Sequence, residues 1–85
     1  MLGIFEARFT IRMINKLSES TRLVIEPWGG EYDIPAGESL DLVAEGDRRH
    51  TIEIEVTSNR TVVSSLGSVG AKITVQKGGK QVRAR

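Results

Sequence analysis

The side chains that most often carry chemistry are scarce in this chain, which has one histidine, His50, and no cysteine. A blue-copper centre needs a cysteine and two histidines, and a zinc centre needs three or four cysteine, histidine or carboxylate ligands. His50 follows Arg48 and Arg49 at the expected start of a strand, where we interpret it as an exposed residue. The sequence therefore predicts no metal site and no cofactor.

Arrangements for hydrolysis are equally weak. A Ser-His-Asp triad would have to use His50, and the Gly-Ser-Val-Gly stretch at 67–70 is too short for a Gly-x-Ser-x-Gly nucleophile turn. Glu53 and Glu55 are two positions apart, which places two carboxylates roughly 7 Å apart on one strand face. That spacing suits acid–base chemistry or a weak calcium site, but a solvated strand face has the same pattern, and we favour the solvated face. We expect no catalytic residues and no enzyme.

The densest group of unusual residues is the segment 26–39, which contains both prolines, the only tryptophan and the only tyrosine. Trp28 lies in a predicted tight turn, and a Pro-Trp-Gly turn usually tucks its ring over the neighbouring sheet, so we expect a core anchor. An exposed Trp28 beside Tyr32 would instead form a hot spot for a protein or carbohydrate ligand. The candidate ligand or partner surface consists of Trp28, Tyr32, Glu31 and Asp33.

Charge is distributed in blocks along the chain, although the net charge is only +1. Segment 26–47 has seven acidic residues and no basic one, whereas segment 57–85 has six basic residues and no acidic one. We favour the interpretation that acidic and basic strands lie side by side and form cross-strand pairs. The alternative is a dipolar molecule whose acidic end meets a basic partner or another copy.

The basic tail at 77–85 contains four cations and invites a nucleic-acid interpretation. No aromatic residue is interleaved there for base stacking, and the acidic block of the same small domain would repel a phosphate backbone. We therefore expect no nucleic acid and no membrane partner, but a protein partner or self-association.

These residues must be positioned by strands, because apolar and polar residues alternate with a period of two through most of the chain. The sequence Lys77-Gly78-Gly79-Lys80 predicts a two-residue hairpin turn, with Val82 pairing back across it. Strands are predicted near 5–13, 22–26, 31–34, 40–45, 51–57, 61–66 and 71–77. Seven or eight short strands without a helix predict an antiparallel β-sandwich or small barrel.

The same alternation predicts which side chains face the core. We expect inward positions for Phe5, Phe9, Ile11, Leu23, Ile25, Leu40, Leu42, Ile52, Ile54, Val56, Ile73 and Val75.

One short pattern resembles a known group of proteins. The strand Leu23-Val24-Ile25 ending in Glu26-Pro27-Trp28-Gly29, followed by Tyr32, Ile34 and Gly37, is similar to a motif of small uncharacterised bacterial all-β proteins. It covers about a quarter of the chain and implies a fold without implying an activity. The strand count also resembles cupredoxin-like and other Greek-key sandwiches in architecture only, since a copper site lacks its ligands.

Chain length and composition predict the number of domains and the setting of the protein. Eighty-five residues make a single β domain, 1–85. No apolar run approaches the roughly 18 residues of a membrane-spanning helix, and the first residues lack the features of a signal peptide, so we expect a soluble, cytoplasmic protein. We expect a non-catalytic protein-interaction or structural accessory domain. The alternative is a module that binds carbohydrate or another small ligand through Trp28 and Tyr32.

Overall fold

The protein is an all-β sandwich, as predicted. The computed structural model describes residues 6–47, 51–66 and 71–85. Eight strands follow one another in this part of the chain, with no helix among them. They are β1 (Glu6–Ile14), β2 (Thr21–Glu26), β3 (Gly30–Ile34), β4 (Ser39–Asp47), β5 (Thr51–Val56), β6 (Arg60–Leu66), β7 (Lys72–Lys77) and β8 (Lys80–Gln81).

The strands form two four-stranded sheets. Sheet 1 has the order β1-β4-β7-β8, and sheet 2 has the order β3-β2-β6-β5. All neighbouring strands are antiparallel except β2 and β6, which run parallel with Val24 opposite Val62. Consecutive strands therefore often belong to different sheets, and β1 and β5 are outermost strands.

The core lies between the two sheets and takes its largest buried side chains from both. Leu42 and Val75 of sheet 1 are as deeply buried as Leu23 and Val63 of sheet 2. The predicted inward residues Ile25 and Leu40 are also buried. Three further predicted residues are partly buried and pack against this cluster, namely Ile11, Ile52 and Ile73. Phe5 lies outside the described residues.

Three predicted core residues are exposed, so the prediction was wrong for them. Phe9 is 42% exposed, Ile54 is 44% exposed and Val56 is 73% exposed. Their facing is nevertheless as expected, because paired residues point to the same side of a sheet. Ile54 is opposite the fully buried Val63, Val56 shares its face, and Phe9 is opposite the buried Ala44. Their exposure follows from strand order: outermost strands β1 and β5 have a covering neighbour on one side only.

The hairpin between β7 and β8 confirms the turn prediction. Gly78 and Gly79 have φ of 59° and 82°, which is the left-handed conformation that a two-residue turn of this type requires at both positions. Gln76 is opposite Gln81 in the resulting ladder, and the Val82 amide donates to the Val75 carbonyl at 2.8 Å, as expected.

The buried polar residue Asn15 joins the two sheets at one end of the sandwich. It is 3% exposed, and its Nδ2 donates to the carbonyls of Ile34 and Glu19 at 2.8 Å each. Its Oδ1 accepts a hydrogen bond from the Leu17 amide, and its main chain exchanges bonds with Glu38 and Gly37. The loop after β1 is therefore fastened to the end of β3 and to the turn that begins β4.

A pair of truncations tests the burial pattern. Leu42→Ala should cost about 2–5 kcal/mol of unfolding free energy, because Leu42 is fully buried between the sheets. Ile54→Ala should cost less than about 2 kcal/mol, since its side chain is already partly in water. Urea denaturation measures both, and equal losses would show that β5 is covered as fully as β4.

A second pair tests the Asn15 network. Asn15→Ala should cost about 2–4 kcal/mol, because it removes three side-chain hydrogen bonds and leaves the buried Ile34 carbonyl without its donor. Ser18→Ala in the same exposed loop should stay within about 0.5 kcal/mol of the parent. The same denaturation experiment measures both variants. A loss at position 15 no larger than at position 18 would contradict the role assigned to Asn15.

Candidate functional site

Trp28 projects from the turn between β2 and β3 instead of anchoring the core. Its side chain is 53% exposed, so the prediction that the ring is tucked over the sheet was wrong. The turn is closed by a hydrogen bond from the Gly29 amide to the Ile25 carbonyl at 2.7 Å, and Gly29 has a φ of 76°. This tight turn leaves the indole partly in water, where it can contact a ligand.

Tyr32 does not join Trp28 in an open site. It is opposite the buried Leu23 and packs against the core cluster, so its ring lies on the inner side of sheet 2. A Cβ at position 30 would be 3.3 Å from Tyr32 Cε1 and 3.6 Å from the Ala84 Cβ, which explains a glycine there. Tyr32 is therefore partly a packing residue, close to the chain that follows β8.

Glu31 and Asp33 alternate with Tyr32 on β3 and consequently project from the opposite, outer face. Each has a cationic partner: Arg22 Nη1 is 3.5 Å from Glu31 Oε1, and Arg85 Nη1 is 3.2 Å from Asp33 Oδ1. The Arg85 amide also donates to the Glu31 carbonyl at 2.8 Å. The four residues of the predicted surface thus lie on one hairpin but do not converge on one ligand.

The charge blocks of the sequence are interleaved in space, which confirms the predicted cross-strand pairing. Among the described residues, five ion pairs each join an acid of segment 26–47 to a cation from elsewhere in the chain. They are Arg12–Asp41, Arg22–Glu31, Lys72–Glu45, Lys77–Glu38 and Arg85–Asp33. The central acidic segment therefore presents charges that are largely compensated within the molecule.

The Arg12–Asp41 pair has the most regular geometry of these contacts. The two residues are directly opposite in the β1–β4 ladder, and Arg12 Nε and Nη2 donate to the two carboxylate oxygens at 2.8 and 3.2 Å. The hydrogen bond from Arg12 holds the pKa of the Asp41 carboxyl below its ordinary value of 3.8, and the same contact raises the pKa of Arg12.

An open groove of about 670 Å³ lies between the turn after β3 and the β7–β8 hairpin. Arg12, Asp41, Glu38 and Lys77 line it, and they are already bound to one another in two ion pairs. The sequence could not indicate this groove, because its walls come from three distant segments. Since its charges are satisfied internally, it offers no strong preference for a charged ligand.

The outermost strand β5 carries a different combination of residues. Glu53 and Glu55 face outward, opposite Ser64 and Val62, and neither forms an ion pair with any residue the structure describes. The other face of the strand presents the exposed Ile54 and Val56. The sequence pattern indicated these carboxylates but predicted core positions for the apolar residues, because strand order is not visible in such a pattern.

The remaining candidate groups give no further site. His50 and the stretch 67–70 lie outside the described residues, so their predicted roles stay predictions. Within the described ranges, no group of three or more histidine, cysteine or carboxylate residues is arranged to hold a metal ion. The same ranges contain no helix long and apolar enough to cross a membrane.

Comparison with known proteins adds no assignment to this geometry. No protein-family model matches the chain, and neither a curated protein nor a solved structure is significantly similar to it. The resemblance to small bacterial proteins with the Glu-Pro-Trp-Gly turn therefore stays a prediction, and any function must be argued from the residues themselves.

The Arg12–Asp41 contact predicts a specific pH dependence. The pKa of Asp41 is lower in the folded chain than its ordinary value of 3.8, so the folded state binds the proton less readily than the unfolded state. The stabilisation is therefore present above the ordinary pKa and disappears as the pH falls through the lower folded-state value. Asp41→Asn should lower stability at about pH 6, and this loss should shrink as the pH is lowered from there toward about 2.

Urea denaturation across that pH range measures this difference. Arg12→Gln should reproduce it, and Asp41→Asn should add little in the Arg12→Gln background, because the two variants remove the same contact. A constant difference between parent and Asp41→Asn at every pH would contradict the assignment.

Proposed function

We propose that the domain is a non-catalytic protein-interaction module, and that its contact surface is the open side of β5. The observation that carries this proposal is the exposure of Ile54 and Val56 on β5. Their side chains face the same side of sheet 2 as Val63 of the adjacent strand β6, and Val63 is fully buried. Contiguous exposed apolar patches on soluble proteins mark interaction sites, and Ile54 and Val56 are neighbours on one face of β5.

The charge distribution supports the same surface. Glu31, Asp33, Asp41 and Glu45 of β3 and β4 are paired with cations of the same molecule. Glu53 and Glu55 of β5 have no cationic partner in the described chain. An uncompensated charge beside an apolar row can steer and select a partner, because charges determine which partner approaches while apolar contact holds it. The cytoplasmic setting expected from the sequence stays a prediction.

A second candidate function is binding of a carbohydrate or another small ligand at the β2–β3 turn. The half-exposed ring of Trp28 favours it, since an accessible indole can stack on a ligand. Tyr32 supports this candidate less, because it packs against the core and Ala84. We therefore rank the turn below β5.

Site-specific photo-crosslinking separates the two candidates. We would replace Val56, Trp28 or the exposed loop residue Leu17 by p-benzoylphenylalanine, irradiate cells of the native host, and identify adducts by mass spectrometry. The expected result is a defined protein adduct from position 56 and none from position 17, which is also exposed but lies in the loop between β1 and β2 and belongs to neither candidate surface.

Absence of a defined adduct at position 56 would overturn the main proposal, and so would either of two other outcomes. Equal adduct formation at positions 56 and 17 would mean that the reaction follows exposure alone. A defined adduct only from position 28, with a protein or with a small molecule, would move the function to the β2–β3 turn.

A further inference from the structure

We infer that β5 binds its partner by strand addition, and that the added segment is an extended chain in which apolar residues alternate with lysine or arginine. The inference deepens the function proposed above, since it names the chemical class of the partner at the same surface. It is carried by the backbone of β5, by the two rows of side chains on that strand, and by the charges of its outer row.

The backbone of β5 is a template for another strand. It pairs with β6 through an unbroken ladder from Thr51 opposite Leu66 to Val56 opposite Thr61, and no described strand lies on its other side. In such an outermost strand, alternate amide and carbonyl groups point away from the sheet. The sequence Thr-Ile-Glu-Ile-Glu-Val contains no proline, glycine or lysine, which are residues that commonly interrupt or protect a sheet edge.

The other sheet edges are less suited to this role. β8 has two residues only, and the β3 edge is occupied near Glu31 by the Arg85 amide. β1 carries the cations Arg8 and Arg12 on its outward positions. Within the described chain, β5 therefore combines an open edge with exposed apolar residues and uncompensated acids.

The two rows of β5 specify what an added strand must present. Ile52, Ile54 and Val56 form the inner row, and the exposure of Ile54 and Val56 leaves room for apolar side chains beside them. Glu53 and Glu55 form the outer row. Because directly opposite residues of paired strands point to the same face, a bound segment should place apolar residues beside the inner row and cations beside the outer row.

The same charges disfavour a second copy of β5 as the occupant. An antiparallel pair of β5 strands with Ile54 opposite its own counterpart would set Glu53 opposite Glu55 of the other copy. Sliding the register by two residues in either direction places Glu53 or Glu55 opposite itself. Like charges directly opposite each other are destabilising, so the outer row selects against self-pairing while it favours a basic strand.

Peptide binding to the full chain tests the inference. The probes are fluorescein-labelled heptapeptides: Lys alternating with Val, Glu alternating with Val, and a Lys–Val peptide of the same composition in non-alternating order. The fourth probe is the alternating Lys–Val peptide with N-methyl groups on the backbone amides of its valines. The fifth probe carries the N-methyl groups on the amides of its lysines instead. Both keep every charge, but only one of them blocks the amides that would point toward β5, because amides of alternate residues point to the same edge of a strand.

Fluorescence anisotropy should show the alternating Lys–Val peptide binding at least about tenfold more tightly than the Glu–Val and non-alternating peptides. One N-methylated peptide should lose binding and the other should retain it. The double variant Glu53→Gln, Glu55→Gln should weaken binding about tenfold, whereas Glu19→Gln in an exposed loop should leave it unchanged. Both changes are on the surface, and thermal unfolding checks that the fold is retained.

Each of the following results would overturn the inference. Equal binding of alternating and non-alternating Lys–Val peptides would indicate general charge attraction, and equal effects of the two methylation patterns would exclude strand addition. Sedimentation of the unliganded chain as a dimer that Val56→Arg dissociates would make a second copy the occupant. A protein adduct at position 56 together with no peptide discrimination would end this inference and retain the proposed function, whereas failure of the adduct itself would end the proposed function.

Discussion

The buried amide of Asn15 is the contact on which the arrangement of the two sheets most depends. Its side chain holds the loop between β1 and β2, and it also binds the Ile34 carbonyl at the end of β3. Its main chain continues the β1–β4 pairing to Glu38 and Gly37. Hydrophobic contact between two sheets is not directional, so it cannot by itself decide where one sheet ends on the other. A buried amide that satisfies donors and acceptors on both sides supplies that direction.

Strand order then determines which apolar residues reach the core. Two stacked four-stranded sheets have four lateral edges, and a strand at an edge is covered on one side only. At β3, the last residues of the chain lie alongside, with Ala84 near Gly30 and Arg85 bonded to Glu31. β5 has no comparable cover in the described chain, so Ile54 and Val56 meet water although they face inward. The core and the proposed binding surface are thus two parts of one apolar layer.

Much of this fold could be predicted from local pattern, because a period of two and a Gly-Gly turn are physical requirements of neighbouring residues. The strands, the facing of Ile52 and Ile54, and the hairpin at Gly78 and Gly79 follow from such requirements. Properties that depend on distant segments could not be predicted. The exposure of Val56 needs the strand order, and the role of Asn15 needs the positions of Ile34 and Glu19.

The same distinction between local pattern and distant segments applies to the candidate site. The sequence pattern drew attention to Trp28 but favoured a buried ring, and it grouped Tyr32 with Glu31 and Asp33, which the pleat of β3 sends to opposite faces. It also recognised Glu53 and Glu55 as a spaced pair of carboxylates. What it could not supply was the difference between those two acids and the acids of the central segment, since ion pairing depends on which strands become neighbours.

The difference between the paired acids of segment 26–47 and Glu53 and Glu55, which are unpaired within the described chain, bears on the proposed function. Interleaving the charge blocks lets strands β1, β2 and β7 neutralise the acids of β3 and β4, which reduces the long-range field of the molecule. Because most acids of segment 26–47 are paired within the molecule, they attract an approaching cationic chain less than unpaired acids do. Glu53 and Glu55 are such charges, and they flank an apolar row on a strand with an open edge. The open backbone edge, the apolar row and the unpaired acids of β5 therefore each support the proposed partner, an extended segment with basic residues.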